Sequence, residues 1–282
     1  MFDKIDMKCI FCGNDSSNSK SIEHIIPESF GNSTTVLPQG VVCDKCNNYI
    51  GRKIEAPFLN SEAILMLRQE LALKTKSDKT IQRFDYPKTK EIVQHISPNF
   101  YFVFSQNDKT EDEIQCSVEE YMEYVNKTDE ALLTPSIFLS RLLAKMAVEA
   151  FVHRCGVDSG VCDYVREDDA FKALRMHVRY EGRKIWEYSA RRIYSRTAAY
   201  QGNSQSSVSW EYDFLFLANG EVYFVIAMFG IEYAINMGGS SIEGYKEWLK
   251  NNKNISPLYI SDKQREENYM GYVKKMFSSN SL

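Results

Sequence analysis

Apolar residues along this chain recur with a helical period in some stretches and run together like buried strands in others. Ala63, Ile64, Met66, Leu67, Leu71 and Leu73 fall at three- and four-residue spacing, which predicts a helix that the polar run Lys74 to Thr80 ends. The pattern is strongest from Ser136 to Gly156. There Ile137, Leu139, Leu142, Leu143, Met146, Ala147, Ala150 and Phe151 make an apolar stripe and Gly156 is placed to end the helix. Residues 100–105 read as a buried strand. Residues 212–239 read as two or three strands turning at Asn219-Gly220, because a type I′ hairpin needs positive φ at both central residues. Helix returns towards the end of the chain, and residues 202–207 read as a flexible loop. Residues 1–50 are different: they are dense in Cys, Gly, Asn and Ser without a helical period, so something other than an apolar core must hold them. The polar run divides the chain into a small unit, residues 1–78, and a larger α+β domain, residues 79–282.

Composition narrows the class. At 282 residues, 44% hydrophobic and 26% charged, the chain is long enough for a sizeable core and close to the globular average, which excludes wholesale disorder and fibrous classes. A net charge of -4 argues against coating nucleic acid by charge alone, and the acidic stretch 111–130 should repel DNA, so any nucleic-acid site is a local patch. The first residues lack the basic start and apolar run of a signal peptide, and no uncharged apolar stretch reaches the roughly 18 residues of a membrane span. The expectation is a cytoplasmic protein with no membrane association. Cys116, Cys155 and Cys162 read as small buried apolar groups, and His95, His153 and His177 as structural.

The remaining cysteines form Cys9-Ile-Phe-Cys12 and Cys43-Asp-Lys-Cys46, two knuckles able to place four thiolates about 2.3 Å from one tetrahedral Zn²⁺. Gly13 and Asn47, directly after each pair, suit a tight turn. A site filled by four sulfurs leaves no position for substrate, so this zinc should be structural. The stretch from Gly13 to Val42 exceeds the roughly 15 to 20 residues inside a simple zinc ribbon, and it holds Ser21-Ile-Glu-His-Ile-Ile-Pro-Glu28. His24 supplies a base with a pKa near 6.5, and Glu23 a hard oxygen ligand for Mg²⁺ or Mn²⁺. Water attack on a phosphodiester requires those parts.

Together, Cys9-x-x-Cys12, Glu23-His24-Ile25-Ile26-Pro27, Gly31 and Val42-Cys43-x-x-Cys46-Asn47-Asn48 resemble the zinc-bearing HNH endonucleases over residues 8–55. The resemblance implies a ββα-metal fold in which His24 activates water as general base. Asn47, or failing that Asn48, matches the final metal ligand of the motif. Glu23 matches the acidic residue that can ligate the same catalytic Mg²⁺ or Mn²⁺, and the products would carry 5′ phosphate and 3′ hydroxyl ends. Where the family has its central Asn this chain has Pro38, for which Asn32 or Gln39 could substitute. Neighbouring strand residues point to opposite faces, so Glu23 and His24 serve one site only if the strand ends or kinks there, as Pro27 permits.

Arg52 and Lys53 follow the second knuckle and are phosphate candidates. Arg179, Arg183, Lys184, Arg191 and Arg192 lie in a basic stretch with Tyr180, Trp186 and Tyr188 interleaved, the parts of a nucleic-acid surface if they are more than a solvated face. The reading is a metal-dependent endonuclease acting on DNA rather than RNA, with restriction or phage defence as its setting. Its larger domain would bind substrate, dock a partner or regulate. One such site cuts one strand, so double-strand cleavage needs a homodimer or successive nicks. The rivals are a non-catalytic zinc-stabilised nucleic-acid-binding adaptor and an effector subunit gated by an activating protein partner.

Overall fold

The computed structural model describes residues 7–70, 73, 83–86, 89–97, 100–105, 118–180, 184–193 and 210–259. Strand β1 (Glu23–His24) pairs antiparallel with β2 (Val36–Leu37), Glu23 opposite Leu37 and His24 opposite Val36. Helix α1 (Asp44–Ile50) follows, with Cys43 as its N-cap and the Asp44 carboxylate in its first turn, where the helix dipole favours it. It continues into a π-helical turn (Gly51–Glu55), α2 (Ala56–Leu59) and α3 (Glu62–Glu70), the last being the helix expected after residue 63. Pro57 gives the widened turn a physical reason. Proline donates no N–H and its ring strikes the carbonyl four residues back, here that of Lys53, so an unbroken α-helix is disfavoured at this point.

Beyond this ββα region the chain is helical and antiparallel. Strands β3 (Arg83–Tyr86), β4 (Thr89–Ser97) and β5 (Phe100–Ser105) form one sheet in that order, β5 being the strand expected at 100–105. Helix α4 (Val118–Leu133) leads to α5 (Ile137–Cys155), the strongest helical pattern in the sequence, capped by Ser136 and ended at Gly156. Helices α6 (Ser159–Glu167) and α7 (Asp169–Arg179) share Asp168, whose carboxylate accepts from Ala170 N at 2.9 Å. Strands β6 (Tyr188–Arg192), β7 (Trp210–Phe216), β8 (Val222–Met228) and β9 (Ile231–Asn236) form a second sheet in the order β6-β9-β8-β7. Every residue of β8 and β9 is buried, because the helical core covers one face and Ile242, Tyr245 and Leu249 of α8 (Glu243–Asn251) and its approach cover the other. The chain is therefore a mixed α+β protein: an N-terminal ββα region with its four-cysteine cluster, then a larger helical and antiparallel region.

The hairpins depart from expectation in one detail. At Asn219-Gly220 only Gly220 is left-handed, with φ 93°, and Leu217 N bonds Glu221 O at 2.9 Å, so the loop is one residue longer than a type I′ turn. The turn with positive φ at both positions is Phe229-Gly230, at 53° and 76°. A bulky residue in that region is strained. Its ring is buried and meets Phe30 edge-on at a centroid distance of 5.0 Å, which ties the tip of the sheet to the N-terminal region. One apolar core runs from Cys9 and Phe11 through α5 to Phe224 and Met237.

His177 has a structural role, as expected. It is buried, its Nε2 lies 2.9 Å from Ser140 Oγ, and burial together with the nearby Arg141 guanidinium pushes its pKa from 6.5 down to about 4. Cys155 and Cys162 are half-buried and their thiols are pushed up by burial. Cys116, residues 202–207 and the acidic stretch up to residue 117 lie outside the described residues, and the side chain of His95 is not among those described. Among the described residues no single helix is long and apolar enough to cross a membrane.

Two outcomes follow from this packing. Phe229→Ala removes the Phe30 contact while leaving a side chain in a left-handed turn, and should cost about 3 kcal/mol in urea unfolding. Because the core is continuous, fluorescence and circular dichroism should report that loss as one shifted transition. A neutral buried His177 resists protonation in the fold but not in the unfolded chain. Stability should therefore be unaffected above pH 6.5 and fall by about 3 kcal/mol as pH drops through the window from 6.5 to about 4, a slope that His177→Gln should lack.

Candidate active site and zinc centre

The first knuckle closes because Gly13 takes φ 71°, which lets Gly13 N bond Cys9 O at 2.9 Å and brings Cys12 beside Cys9. The second is built by α1 itself: Cys43 caps the helix, its sulfur accepting from Cys46 N at 3.4 Å, so both thiols lie at the helix start. Cys12 and Cys43 sulfurs are 3.7 Å apart, and all four ligand atoms lie within 4.8 Å of one another. Four sulfurs about 2.3 Å from a tetrahedral Zn²⁺ would be about 3.8 Å apart, so this cage fits zinc. A hydrogen bond from Cys46 lowers the Cys9 thiol to about 5 against the effect of burial, while burial pushes Cys43 up to about 11. Cys46 is raised, first through its bond to Cys9. Thiols this crowded do not ionise together unless a cation sits among them.

Helices α6 and α7 grip this cage with arginines. Arg166 donates to Lys8 O at 3.2 Å, and Arg175 to Phe11 O at 3.3 Å. Arg179 stacks 4.4 Å from the centroid of the Tyr49 ring, with Cys46 near enough to raise its pKa against the effect of burial.

The strand next to the cage carries the sequence motif. Strand β1 ends at His24 and bends follow at Ile25 and Ile26, yet within the strand the pleat sends Glu23 and His24 to opposite faces, Glu23 buried and His24 half-exposed. Glu23 is buried and its Oε1 lies 2.8 Å from Lys145 Nζ, so it is turned into the core and away from the His24 face. His24 is half-exposed on the outer face. Asn47, half-buried on α1, donates from Nδ2 to Ile22 O at 3.3 Å and so ties the helix to the residue before β1. Asp44 accepts from Lys20 N at 3.0 Å and from the backbone and hydroxyl of Ser21. The Ser21 hydroxyl bond first, then its backbone bond, holds the carboxyl below the usual range.

Of the two substitutes for the central Asn, Asn32 is closed to a ligand and Gln39 is exposed. Asn32 is buried and its amide is spent on the loop between β1 and β2, donating to Ile26 O at 2.7 Å and Thr35 O at 2.9 Å and accepting from Thr34 N and Thr35 N. Gln39 donates to Lys20 O at 2.8 Å. Among the described residues the four cysteines are the one group of three or more His, Cys, Asp or Glu side chains that converges on an ion position.

Of the basic residues singled out, Arg52 and Lys53 are exposed on the π-helical turn and Lys184 is exposed. The others have different employment from phosphate binding. Arg179 stands over Tyr49, Arg191 pairs with buried Glu232 at 2.5 Å, and Arg192 pairs with Asp129 at 2.5 Å; Arg183 lies outside the described residues. A guanidinium already paired with a half-buried or buried carboxylate is a poor phosphate ligand, because binding would have to break that pair. The sequence reading also passed over Arg141, Lys145 and Glu149. Their signal was available: three charges at four-residue spacing inside an otherwise apolar helix.

Residues 9–62 match the HNH endonuclease family, a stretch that takes in both knuckles, β1, β2, α1 and the π-helical turn. No curated protein and no solved structure matches the chain. Purified protein should hold about one zinc per chain by elemental analysis. Cys43→Ser removes a ligand while leaving a side chain that can still cap α1, and should lose the metal and the order of residues 9–62 together, measured by amide exchange.

Proposed function

We propose that this protein is an endonuclease that hydrolyses phosphodiester bonds, DNA in preference to RNA, with His24 as general base. The observation that supports this best is the half-exposed His24 on β1, which Asn47 ties to the helix carrying Cys46 and which lies within the stretch that matches the HNH endonucleases. The zinc holds the knuckles and, with four sulfur ligands, takes no part in chemistry. His24 takes a proton from water as the oxygen attacks phosphorus, and the bond to the 3′ oxygen breaks. Arg52 and Lys53, exposed on the π-helical turn that continues α1, meet the phosphate backbone in this reading.

A catalytic Mg²⁺ or Mn²⁺ would supply charge stabilisation at the phosphate. Asn47 is the residue placed to hold it on the His24 face, with water and phosphate oxygens completing the sphere, which suits an ion that keeps several of its waters. Glu23 does not fit that role in the arrangement described, because it is paired with Lys145 on the other face. The same observation favours a second reading, a zinc-stabilised nucleic-acid-binding adaptor without catalysis.

Incubation with supercoiled plasmid and with RNA, with Mg²⁺, Mn²⁺ or EDTA, separates the two. The nuclease should nick DNA in a metal-dependent way. His24→Ala should lower the rate by about 10² to 10⁴ with zinc content unchanged. Binding without cleavage by a folded, zinc-loaded wild type would favour the adaptor.

A further inference from the structure

Helix α5 carries Arg141, Lys145 and Glu149 on one face, at successive four-residue steps, and all three are buried. Lys145 has no exposed side-chain surface, and its ammonium meets acceptors from β1, the residue after it, the π-helical turn and α5. It lies 2.8 Å from Glu23, 3.1 Å from Glu55 on the π-helical turn and 3.0 Å from Glu149. It also donates to the backbone carbonyl of His24 at 2.5 Å and approaches that of Ile25 at 3.3 Å. One turn earlier, Arg141 donates to the Tyr49 hydroxyl at 2.9 Å, on the helix that carries Asn47.

We propose that Lys145 is a positioning residue for His24, setting the face on which the imidazole stands by gripping β1 from the core side. The inference rests on the nuclease reading for its catalytic consequence, though not for its structural one. Strand β1 has two residues and two cross-strand partners, so the ladder alone specifies its register weakly. A slip of one residue would turn His24 inward and Glu23 outward, since strand side chains alternate. The Lys145–Glu23 pair opposes that slip because it would have to break for Glu23 to turn outward. The bond to the His24 carbonyl fixes the same peptide along the strand. Arg141 places α1 against the same helix, so α5 sets the strand with the base and the helix with Asn47 relative to each other. The helix after residue 78 is thus a working part of the site.

The test uses full-length, zinc-loaded protein with labelled histidine, in which the His24 ring signal is identified by its loss in His24→Ala. Lys145→Met removes the ammonium at similar length, and Lys145→Arg keeps the cation. The inference expects Lys145→Met to shift or broaden the His24 ring signal while leaving that of exposed His153, at the far end of α5, in place. It expects the same variant to lower kcat on supercoiled plasmid with Mg²⁺ about a hundredfold at little changed KM, the scale of a small misplacement of a reacting group. Lys145→Arg should recover part of both. A folded Lys145→Met with an unmoved His24 signal and the wild-type rate would overturn the inference. Faster cleavage would overturn it too, and would mean that Lys145 withholds Glu23 from an ion. If Lys145→Met does not fold, Lys145→Arg is judged by the same two readouts, an unmoved ring signal with an unchanged rate counting against. If wild type cleaves neither DNA nor RNA, the nuclease reading fails by itself, and the His24 signal still decides whether Lys145 sets the ring.

Discussion

A lysine ammonium buried without contact to water is among the costliest groups a fold can hold, and Lys145 is such a group. Burial alone would depress its pKa, yet Glu149, Glu23 and Glu55 outweigh that and hold it well above the ordinary lysine value. Burial likewise raises the Glu149 carboxyl, against the pull of Lys145. The cluster tolerates one cation only while three carboxylates and two carbonyls stay around it, and these come from β1, the loop after it, the π-helical turn and α5. Any motion that withdrew one of those elements would leave a charge uncompensated in the core. The geometry of the motif is therefore held by what surrounds Lys145 as much as by the motif's own hydrogen bonds.

The zinc cage is the second anchor, and it works on the other end of the same small unit. The stretch of Cys, Gly, Asn and Ser read in sequence as lacking an apolar core does have one: Ile10, Phe11, Ile25, Ile26, Phe30 and Leu37 join the common core, and the cysteine cage that fits zinc adds to it. Helices α6 and α7 close over it with Arg166, Arg175 and Arg179. Cationic groups beside a cage of thiolates lower the cost of gathering that much negative charge. Arg179, which in sequence looked like part of a nucleic-acid surface, is spent in this way, while Arg52 and Lys53 near the motif stay exposed.

Strain at the tip of the larger sheet belongs to the same arrangement. Phe229 adopts a left-handed backbone that an aromatic residue disfavours, and it does so where its ring packs edge-on against Phe30 of the N-terminal region. The π-helical turn plays a similar part on the other side, since widening ahead of Pro57 accompanies a turn that buries Ile54 and carries Glu55 to Lys145. Both irregularities lie where the motif meets the rest of the chain.

Much was legible in the sequence alone. The two knuckles were readable because ligand spacing and turn chemistry are local properties, as were α3, β5 and α5 from their apolar patterns, while the strand with His24 and the helix after Cys43 came only with the resemblance to the HNH endonucleases. The partners of charged residues were not readable, because they depend on which distant segments pack together. Glu23 and Lys145 are more than a hundred positions apart, and nothing local to either distinguishes a metal ligand from half of a buried ion pair. The type I′ turn was placed at Asn219-Gly220, where residue preference suggests it, whereas tertiary packing allowed one at Phe229-Gly230 against preference. By itself the sequence determined which residues could do chemistry. Only the tertiary structure decided which face each occupies and which charges neutralise one another, since burial and long-range contact set the cost of a charge and no local pattern does.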